Sequence, residues 1–297
     1  MTNTTTNTIL VIGSTGKTGK RVADQLENRG IPVRHGSRSA DIPFDWQDQQ
    51  TWAPALAGVD KVYVTYSPDL AVPGSVDAIR ALTKLADEAG VRRLVLLSGR
   101  NEVEAERAED VVKASGLPWT IVRCAFFAQN FNEGAWLDEV LAGTVSLPVD
   151  DVAEPFVDVD DIAEVATAAF LDSRHVGEVY ELTGPRLLTF GEAIAEIAQA
   201  CGQAIDFVRV APRDYTAALT RGGVPADFAR LITYLFTELV EGRNAAVGDG
   251  VERALGRRPA DFRDYARGCA ARGVWPPRVR RLHRAGEAQE RTVMVEA

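Results

Sequence analysis

Residues that bind metals or form disulfides are scarce in this chain of 297 residues. An odd number of separated cysteines supports neither a disulfide framework nor a C-x-x-C pair, and no H-E-x-x-H pair occurs among the histidines. We therefore expect free thiols and no metal site. The three cysteines and three histidines are Cys124, Cys201, Cys269, His35, His175 and His283.

Long apolar runs and an excess of basic residues are also lacking. No stretch approaches the roughly 18 consecutive apolar residues of a membrane span, and residues 1–8 are polar, unlike a signal peptide. The formal net charge of -9 and the pI near 5.0 disfavour a nucleic-acid partner, which requires clustered Lys and Arg. These absences predict a cytoplasmic protein without a membrane or nucleic-acid partner.

A strand that runs directly into three spaced glycines is the most informative feature that is present. Residues 9–19 read ILVIGSTGKTG. Gly13 suits a tight turn, Gly16 a close approach to phosphate, and Gly19 the packing of the next helix on the sheet. A P-loop is excluded because Lys17 stands between the glycines and not after the last one. The pattern predicts a nicotinamide dinucleotide whose pyrophosphate binds the N–H groups at the helix start. The predicted cofactor-binding residues of this turn are Gly13, Ser14, Thr15, Gly16, Lys17, Thr18 and Gly19.

Strands and helices alternate through the first half of the sequence. Such alternation gives parallel strands joined by right-handed crossovers. The predicted fold is therefore an α/β, doubly wound parallel (Rossmann) sheet with helices on both faces, which binds ligands beyond the carboxyl ends of its strands. Apolar runs predict strands at residues 8–12, 31–35, 61–65, 93–98 and 119–122, and helices at 74–88 and 103–114.

After residue 131, Pro and Gly interrupt this regularity. Two short strands at 178–182 and 205–210 are expected to extend the sheet or to form a small side layer. The predicted domains are a dinucleotide-binding Rossmann domain at 1–150, a mainly helical substrate lobe at 151–275 and a mobile, solvated tail at 276–297. Helices of the second half are predicted at 161–171, 190–200, 214–221 and 226–241.

The residues after the second strand favour NADPH over NADH, with NADH left open. The acid that binds the ribose 2′-hydroxyl in NAD-specific folds is missing about twenty residues after the glycine turn. Ser37, Arg38 and Ser39 stand there instead, and a guanidinium with hydroxyls suits a 2′-phosphate. Arg38 in an exposed loop without this role is the alternative. Asp45 is expected either beside the adenine edge or as the N-cap of a loop.

Several motifs together resemble the NmrA-like branch of the atypical short-chain dehydrogenase/reductases. One departure is Cys124, where that family usually carries Pro. The resemblance implies an NAD(P)-binding fold, and the family includes quinone reductases, ketoreductases of aromatic polyketides such as angucyclinones, and a cofactor-sensing regulator. The motifs are RRLVLLSG at 92–99, SGLPWTIVR at 115–123, FAQNF at 127–131, FVDVDDIA at 156–163 and YELTGP at 180–185.

The Tyr-x-x-x-Lys pair that typical members of the superfamily use is missing. Ser98, where the resemblance implies a catalytic serine, and Tyr66, expected near the nicotinamide edge, are the candidate donors to the substrate oxygen. The alternatives are that each merely shapes a turn or loop. A quinone, or an aryl ketone beside a phenolic hydroxyl, would need no protein acid, so substrate assistance is expected. The residues four places after each Tyr are Ser67, Leu70, Gly184, Leu219, Glu238 and Cys269.

An aromatic cluster is expected where the strand at 119–122 leads into the second half. Phe126, Phe127, Phe131 and Trp136 would hold a flat substrate and Asn130 would orient its carbonyl, although such clusters also occur as core. The predicted function is an NADPH-dependent reductase of a carbonyl or quinone on a planar aromatic small molecule. A cofactor-sensing regulator without turnover and a broad quinone oxidoreductase are the alternatives.

Overall fold

The computed structural model describes residues 7–134, 136–239, 242 and 244–276. The strands are β1 (Ile9–Ile12), β2 (Val33–Gly36), β3 (Lys61–Val64), β4 (Arg93–Gly99), β5 (Trp119–Cys124), β6 (Thr144–Leu147), β7 (Ala153–Glu154), β8 (Glu178–Leu182), β9 (Leu188–Thr189) and β10 (Asp206–Arg209). The helices are α1 (Lys17–Glu27), α2 (Trp52–Leu56), α3 (Ser75–Glu88), α4 (Val103–Ala114), α5 (Leu137–Ala142), α6 (Val159–Leu171), α7 (Phe190–Cys201), α8 (Pro212–Arg221), α9 (Ala226–Tyr234), α10 (Gly250–Leu255) and α11 (Phe262–Ala271). Predicted elements therefore recur with boundaries that differ by a few residues.

Six parallel strands form the main sheet, in the order β2-β1-β3-β4-β5-β8. The apolar runs of β1, β3 and β4 are buried because core packs against both faces of the sheet. Chain order reverses between β1 and β3, which creates a switch point at their carboxyl ends. The doubly wound Rossmann fold predicted from the sequence is confirmed.

Helices cover the two faces in separate sets. On one face α1 and α6 pack with the core residues of β1 and β5, and on the other α2, α3 and α4 pack with those of β3 and β4. A third cluster, rich in aromatic rings, lies in the second half of the chain and includes Phe131, Phe156 and Phe190. The aromatic rings of the second half therefore have a core of their own.

Segments beyond residue 150 contribute to both the sheet and the side layers. Strand β8 pairs with β5 in the main sheet, whereas β10 pairs with β6 and β9 with β7 in two small sheets. The two outcomes expected for the later strands thus both occur. The division at residue 150 stays a prediction, and the predicted tail at 276–297 lies outside the described residues apart from Pro276.

Two helices of the second half differ from their predicted bounds. Helix α8 begins at Pro212, two residues before the predicted start, because proline lacks an N–H that the first turn would leave unpaired. The helix predicted at 226–241 is α-helical only to Tyr234 and continues as a π-helix at Leu235–Leu239. Apolar periodicity does not reveal such a change of hydrogen-bond pattern.

Some features are absent from the part of the chain that the structure describes. None of its helices combines the length and apolarity needed to cross a bilayer. His, Cys, Asp and Glu side chains do not gather there in groups of three or more that would suit a metal ion. The three cysteines are free thiols, as expected.

Candidate active site

The turn between β1 and α1 is held by close backbone contacts. Gly13 has a φ of 73°, in the left-handed region that favours glycine, and its N–H donates to the carbonyl of Gly36 at 2.8 Å. The N–H of Gly16 donates to the Gly13 carbonyl at 2.8 Å. A Cβ atom on Gly19 would overlap that same carbonyl, so α1 approaches the turn this closely only with glycine there.

The start of α1 offers unpaired donors. Its N-cap is Gly16, which has no side chain to accept from the first turn, and the first N–H groups of a helix have no partner within it. The Ser14 hydroxyl is buried and has no hydrogen-bond partner among the described residues. Free N–H groups, the helix dipole and this hydroxyl fit the pyrophosphate of a dinucleotide. The seven residues predicted to bind it, 13–19, all lie in the turn or the first turn of α1.

Arg21, one turn further along α1, ties the helix to the second half of the chain. Its guanidinium donates to Glu133 Oε1 at 2.6 Å and to Asp160 Oδ1 at 2.5 Å. The Lys17 ammonium lies close to Gly134, and Lys17 lines a cavity at the carboxyl ends of the central strands. Burial lowers the pKa of Lys17, and Glu133 opposes this shift. A cation is therefore held where the glycine turn meets the cavity.

The residues predicted to select the cofactor follow β2. Arg38 is exposed, and the hydroxyls of Ser37 and Ser39 lie 3.4 Å apart beside it. Asp45 Oδ1 accepts from the N–H of Gln47 at 3.0 Å, so its carboxylate stabilises a local turn. This contact is of the kind expected if Asp45 is the N-cap of a loop, and its contact with adenine stays a prediction.

A cavity of about 340 Å³ opens at the carboxyl ends of β3, β4 and β5. It adjoins the glycine turn through Lys17 and reaches the second half of the chain at Leu235 and Asn244. Such an edge is where doubly wound sheets bind their ligands. Of the residues predicted from the sequence, the cavity brings together Lys17, Tyr66, Ser98, Phe126, Phe127 and Asn130.

Two of the predicted substrate residues lie behind the cavity wall. Phe131 is fully buried and Trp136 is 4% exposed, and both belong to the third core cluster. Phe126 stacks on Trp136 with ring centroids 6.1 Å apart and on Phe236 at 5.7 Å. The structure therefore gives Phe131 and Trp136 the core position that was the alternative, while Phe126 presents the cluster to the cavity.

The two predicted proton donors have different surroundings. Tyr66 is partly buried against Trp46, with ring centroids 4.8 Å apart, and burial raises the pKa of its phenol. The Ser98 hydroxyl donates to Glu109 Oε1 at 2.7 Å, and Glu109 is fully buried in an ion pair with Arg123. The Ser98 hydroxyl proton is thus used in the hydrogen bond to Glu109. Towards a substrate, Ser98 can only accept a hydrogen bond through its oxygen.

The sequence interpretation missed two carboxyl groups in the cavity wall. Asp69 follows β3 and Glu102 follows β4, and their carboxyl groups line the same wall close enough for each to shift the pKa of the other. Arg100 and Asn244 also line the wall, and an Arg100 guanidinium nitrogen donates to the Asn244 carbonyl at 3.1 Å. A signal was available: acids that follow neighbouring parallel strands meet at one sheet edge.

Comparisons with known proteins agree with this geometry. A model of a family described as NAD(P)H-binding matches residues 13–173. The chain is 30% identical to the prestalk A differentiation protein A of Dictyostelium discoideum over 87% of this chain and 91% of that protein. It is 29% identical to an NAD(P)H azoreductase of Xenophilus azovorans over 89% of this chain and 98% of that protein. The structure of an NADPH-dependent quinone oxidoreductase of Escherichia coli, complexed with NADPH, superposes with a TM-score of 0.70 at 20% identity, covering 87% of this chain and 98% of that one.

Proposed function

We propose, on the premise that this chain belongs to the NAD(P)H-binding family, that it reduces a carbonyl or quinone group of a planar aromatic substrate. The protein is an NAD(P)H-dependent oxidoreductase, since several relatives that it matches over nearly their whole lengths are named oxidoreductase, reductase or dehydrogenase. The predicted nicotinamide dinucleotide is thereby confirmed. The substrate class and the residue roles are the proposed part.

The observation that carries the proposal is a cavity with an aromatic wall beside the glycine turn. Tyr66 and Phe126 present rings to the same space that the Lys17 ammonium reaches. Apolar walls with a few polar groups are typical of sites for flat organic ligands. One relative is named an NAD(P)H azoreductase and one structural neighbour an NADPH-dependent quinone oxidoreductase, and acceptors of these two classes support a flat substrate here.

Each group of residues has a distinct role in the proposed complex. The turn at 13–19 binds the pyrophosphate, and Ser37 with Arg38 binds the 2′-phosphate that makes NADPH the preferred cofactor. When bound, the reduced nicotinamide supplies hydride. Phe126 and Phe127 hold the substrate plane, and the Asn130 amide donates to its carbonyl oxygen. Asp45 contributes at the adenine edge.

The finer substrate proposal is a polycyclic aromatic ketone of the angucyclinone polyketide type. It is supported by the NmrA-like motifs and by the missing Tyr-x-x-x-Lys pair. A broad quinone oxidoreductase would use the same cavity and differ only in how many acceptors it takes. Aromatic ketones and simple quinones must therefore be compared in one assay.

Consumption of NADPH by the purified protein tests the proposal. The acceptors are simple quinones, azo dyes, hydroxylated polycyclic ketones and, as a negative set, small aliphatic ketones. We expect turnover with planar aromatic acceptors only. Phe126→Leu removes an aromatic contact worth about 0.5–1.5 kcal/mol and should raise KM roughly threefold to tenfold. Phe228→Leu, a change of an exposed ring outside the cavity wall, is the matched control.

Two results would contradict the proposed function. Saturable NADPH binding without oxidation by any acceptor would indicate a cofactor-sensing regulator. Equal turnover of aliphatic and aromatic ketones would remove the role assigned to the aromatic wall.

A further inference from the structure

A pair of carboxyl groups in the cavity wall is not used by the function proposed above. Asp69 lies in the segment between β3 and α3, and Glu102 is the N-cap residue of α4. The two are 33 positions apart in the chain, yet both line the cavity, and each shifts the pKa of the other. The sheet brings them together because β3 and β4 are adjacent parallel strands.

The Glu102 carboxyl group lies directly over the end of β4. A Cβ atom on Gly99 would overlap the carboxyl carbon and both oxygens of Glu102. The same carboxyl group is close enough to Cys124, at the end of β5, to raise the pKa of that thiol in addition to the effect of burial. Glu102 thus reaches the carboxyl ends of β4 and β5. It covers Gly99, the residue that follows Ser98.

The surroundings of the pair favour the protonated form of Glu102. Burial and the neighbouring Asp69 raise the pKa of Glu102 well above its ordinary value, and burial raises that of Asp69. Asp69 Oδ1 also accepts from the N–H of Ala71 at 2.7 Å, which favours its charged form. These influences favour the charge on Asp69 and the proton on Glu102, because a neighbouring carboxylate disfavours the ionised form of a second one.

Other charged groups face the pair from neighbouring elements. Glu104 on α4 raises the pKa of Glu102 further. The Lys17 ammonium, the Arg100 guanidinium and the Tyr66 phenol line the same cavity. Arg100 forms an ion pair with Glu181 at 3.2 Å, and Glu133 raises the pKa of Lys17 against the effect of burial. The protonated form of Glu102 is thus favoured by its own partner and by Glu104.

We propose that Glu102, paired with Asp69, is the protein's proton donor to the substrate oxygen. The inference rests on the proposed reductase function and replaces the substrate as the source of the proton. In the balanced step, hydride from the reduced nicotinamide forms the new C–H bond while the C=O π bond breaks. The carbonyl oxygen then takes the proton of Glu102. The substrate gains two electrons, the cofactor loses them, and the pair regains its proton from solvent.

Infrared difference spectroscopy of the protein without cofactor tests the protonation state independently of activity. Wild type minus Glu102→Gln should show a protonated-carboxyl band at neutral pH. Asp69→Asn, which removes the charged partner, should shift that band. Wild type minus Glu106→Gln, an exposed acid one turn along α4, should lack the band. Its absence from the Glu102 difference spectrum would overturn the proposal.

Kinetics test the role in catalysis. Glu102→Gln should slow ketone reduction by about 10²- to 10⁴-fold, the usual contribution of a general acid. Reduction of a quinone, whose oxyanion is delocalised, and the Kd for NADPH should change by less than about threefold. The wild-type rate with ketones should fall as pH rises through the pKa of the pair, and Glu102→Gln should abolish this dependence.

The failures of this inference and of the proposed function are distinguishable. If the wild type oxidises no NADPH with any acceptor, the proposed function fails. If the wild type reduces ketones and Glu102→Gln does so equally well, only the inference fails. Three other results would also overturn the inference. If Glu102→Gln lost activity equally with ketones and quinones, Glu102 would only shape the cavity. If the wild type reduced quinones but no ketone, no step would need the acid, and if Tyr66→Phe alone caused a large ketone-specific loss, Tyr66 would be the donor.

Discussion

Under the proposed function, cofactor preference depends on one exposed side chain that follows β2. Arg38 stands in the chain between two serines, at the place where an NAD-specific fold carries an acid. A guanidinium binds a phosphate through paired, charge-assisted hydrogen bonds, and it gains much less from a hydroxyl. NADPH and NADH differ only in this group, so the proposal assigns the discrimination between them to Arg38.

Arg38→Ala should weaken NADPH binding about tenfold to a hundredfold, since a hydrogen bond to a charged group contributes about 1.5–3 kcal/mol. Binding of NADH should change little, because its ribose carries no phosphate. Calorimetric titration of both cofactors measures the two values. Arg29→Ala, which removes another exposed arginine near α1, is the control. Equal losses for NADPH and NADH would contradict the assignment.

At the scale of single elements, the turn from β1 into α1 was the easiest part to predict. Its shape depends mainly on residues close in sequence, from Gly13 to Gly19, although the Gly13 N–H also donates to the distant Gly36 carbonyl. The alternation of strands and helices up to β5 was equally readable, since each element buries its own apolar residues.

Other parts of the site depend on contacts that the sequence pattern does not reveal. Phe126 and Phe131 are both phenylalanines in one short segment. In the folded protein Phe126 lines the cavity, whereas Phe131 is buried in the core. The sequence places Asp69 and Glu102 after neighbouring strands, but their approach also requires the register between β3 and β4, which the spacing of the two residues in the chain does not show. The π-helix at Leu235–Leu239 is likewise not indicated by the apolar pattern of the sequence.

Gly19→Ala tests how closely α1 must approach the turn. The added Cβ would overlap the Gly13 carbonyl, so α1 must move and its N–H groups leave their position beside the turn. We expect weaker binding of both cofactors and a loss of stability of about 1–3 kcal/mol, the range for overpacking. Titration and chemical denaturation measure the two effects.

Gly268→Ala provides the matched control for this change. Gly268 also lies within a helix, α11, but an added Cβ there meets only the end of the Arg272 side chain at 3.3 Å. This variant should bind NADPH normally and be slightly more stable, because alanine favours helix. A Gly19→Ala protein with unchanged cofactor affinity would contradict the role of the close contact.

At the scale of the whole molecule, a buried acid couples stability to pH. Glu154 on β7 is fully buried, and burial raises its pKa from 4.5 to about 7, while Arg100 and Asn244 oppose the shift. The folded protein therefore binds more protons at this residue than the unfolded chain does between these values. Its contribution to stability is present at low pH and is lost as pH rises through this range.

Glu154→Gln should remove this pH dependence. Between pH 5 and pH 8, the free energy of unfolding of the wild type should fall on the order of 3 kcal/mol more than that of the variant. Denaturant titrations at both pH values measure this difference. Glu106→Gln, at an exposed position, should follow the wild type. Parallel pH profiles for wild type and Glu154→Gln would show that Glu154 does not titrate in this range.

Strand β8 has a consequence for anyone who wishes to exchange substrate specificities between relatives. Because it pairs with β5 from Thr120 to Cys124, removing everything after residue 150 would expose an apolar edge strand, a template for aggregation. A chimeric protein must therefore keep α6 and β8 of the protein that supplies the main sheet, and exchange only the segments around them. Substrate specificity would then be transferred as several separate segments and not as one continuous domain.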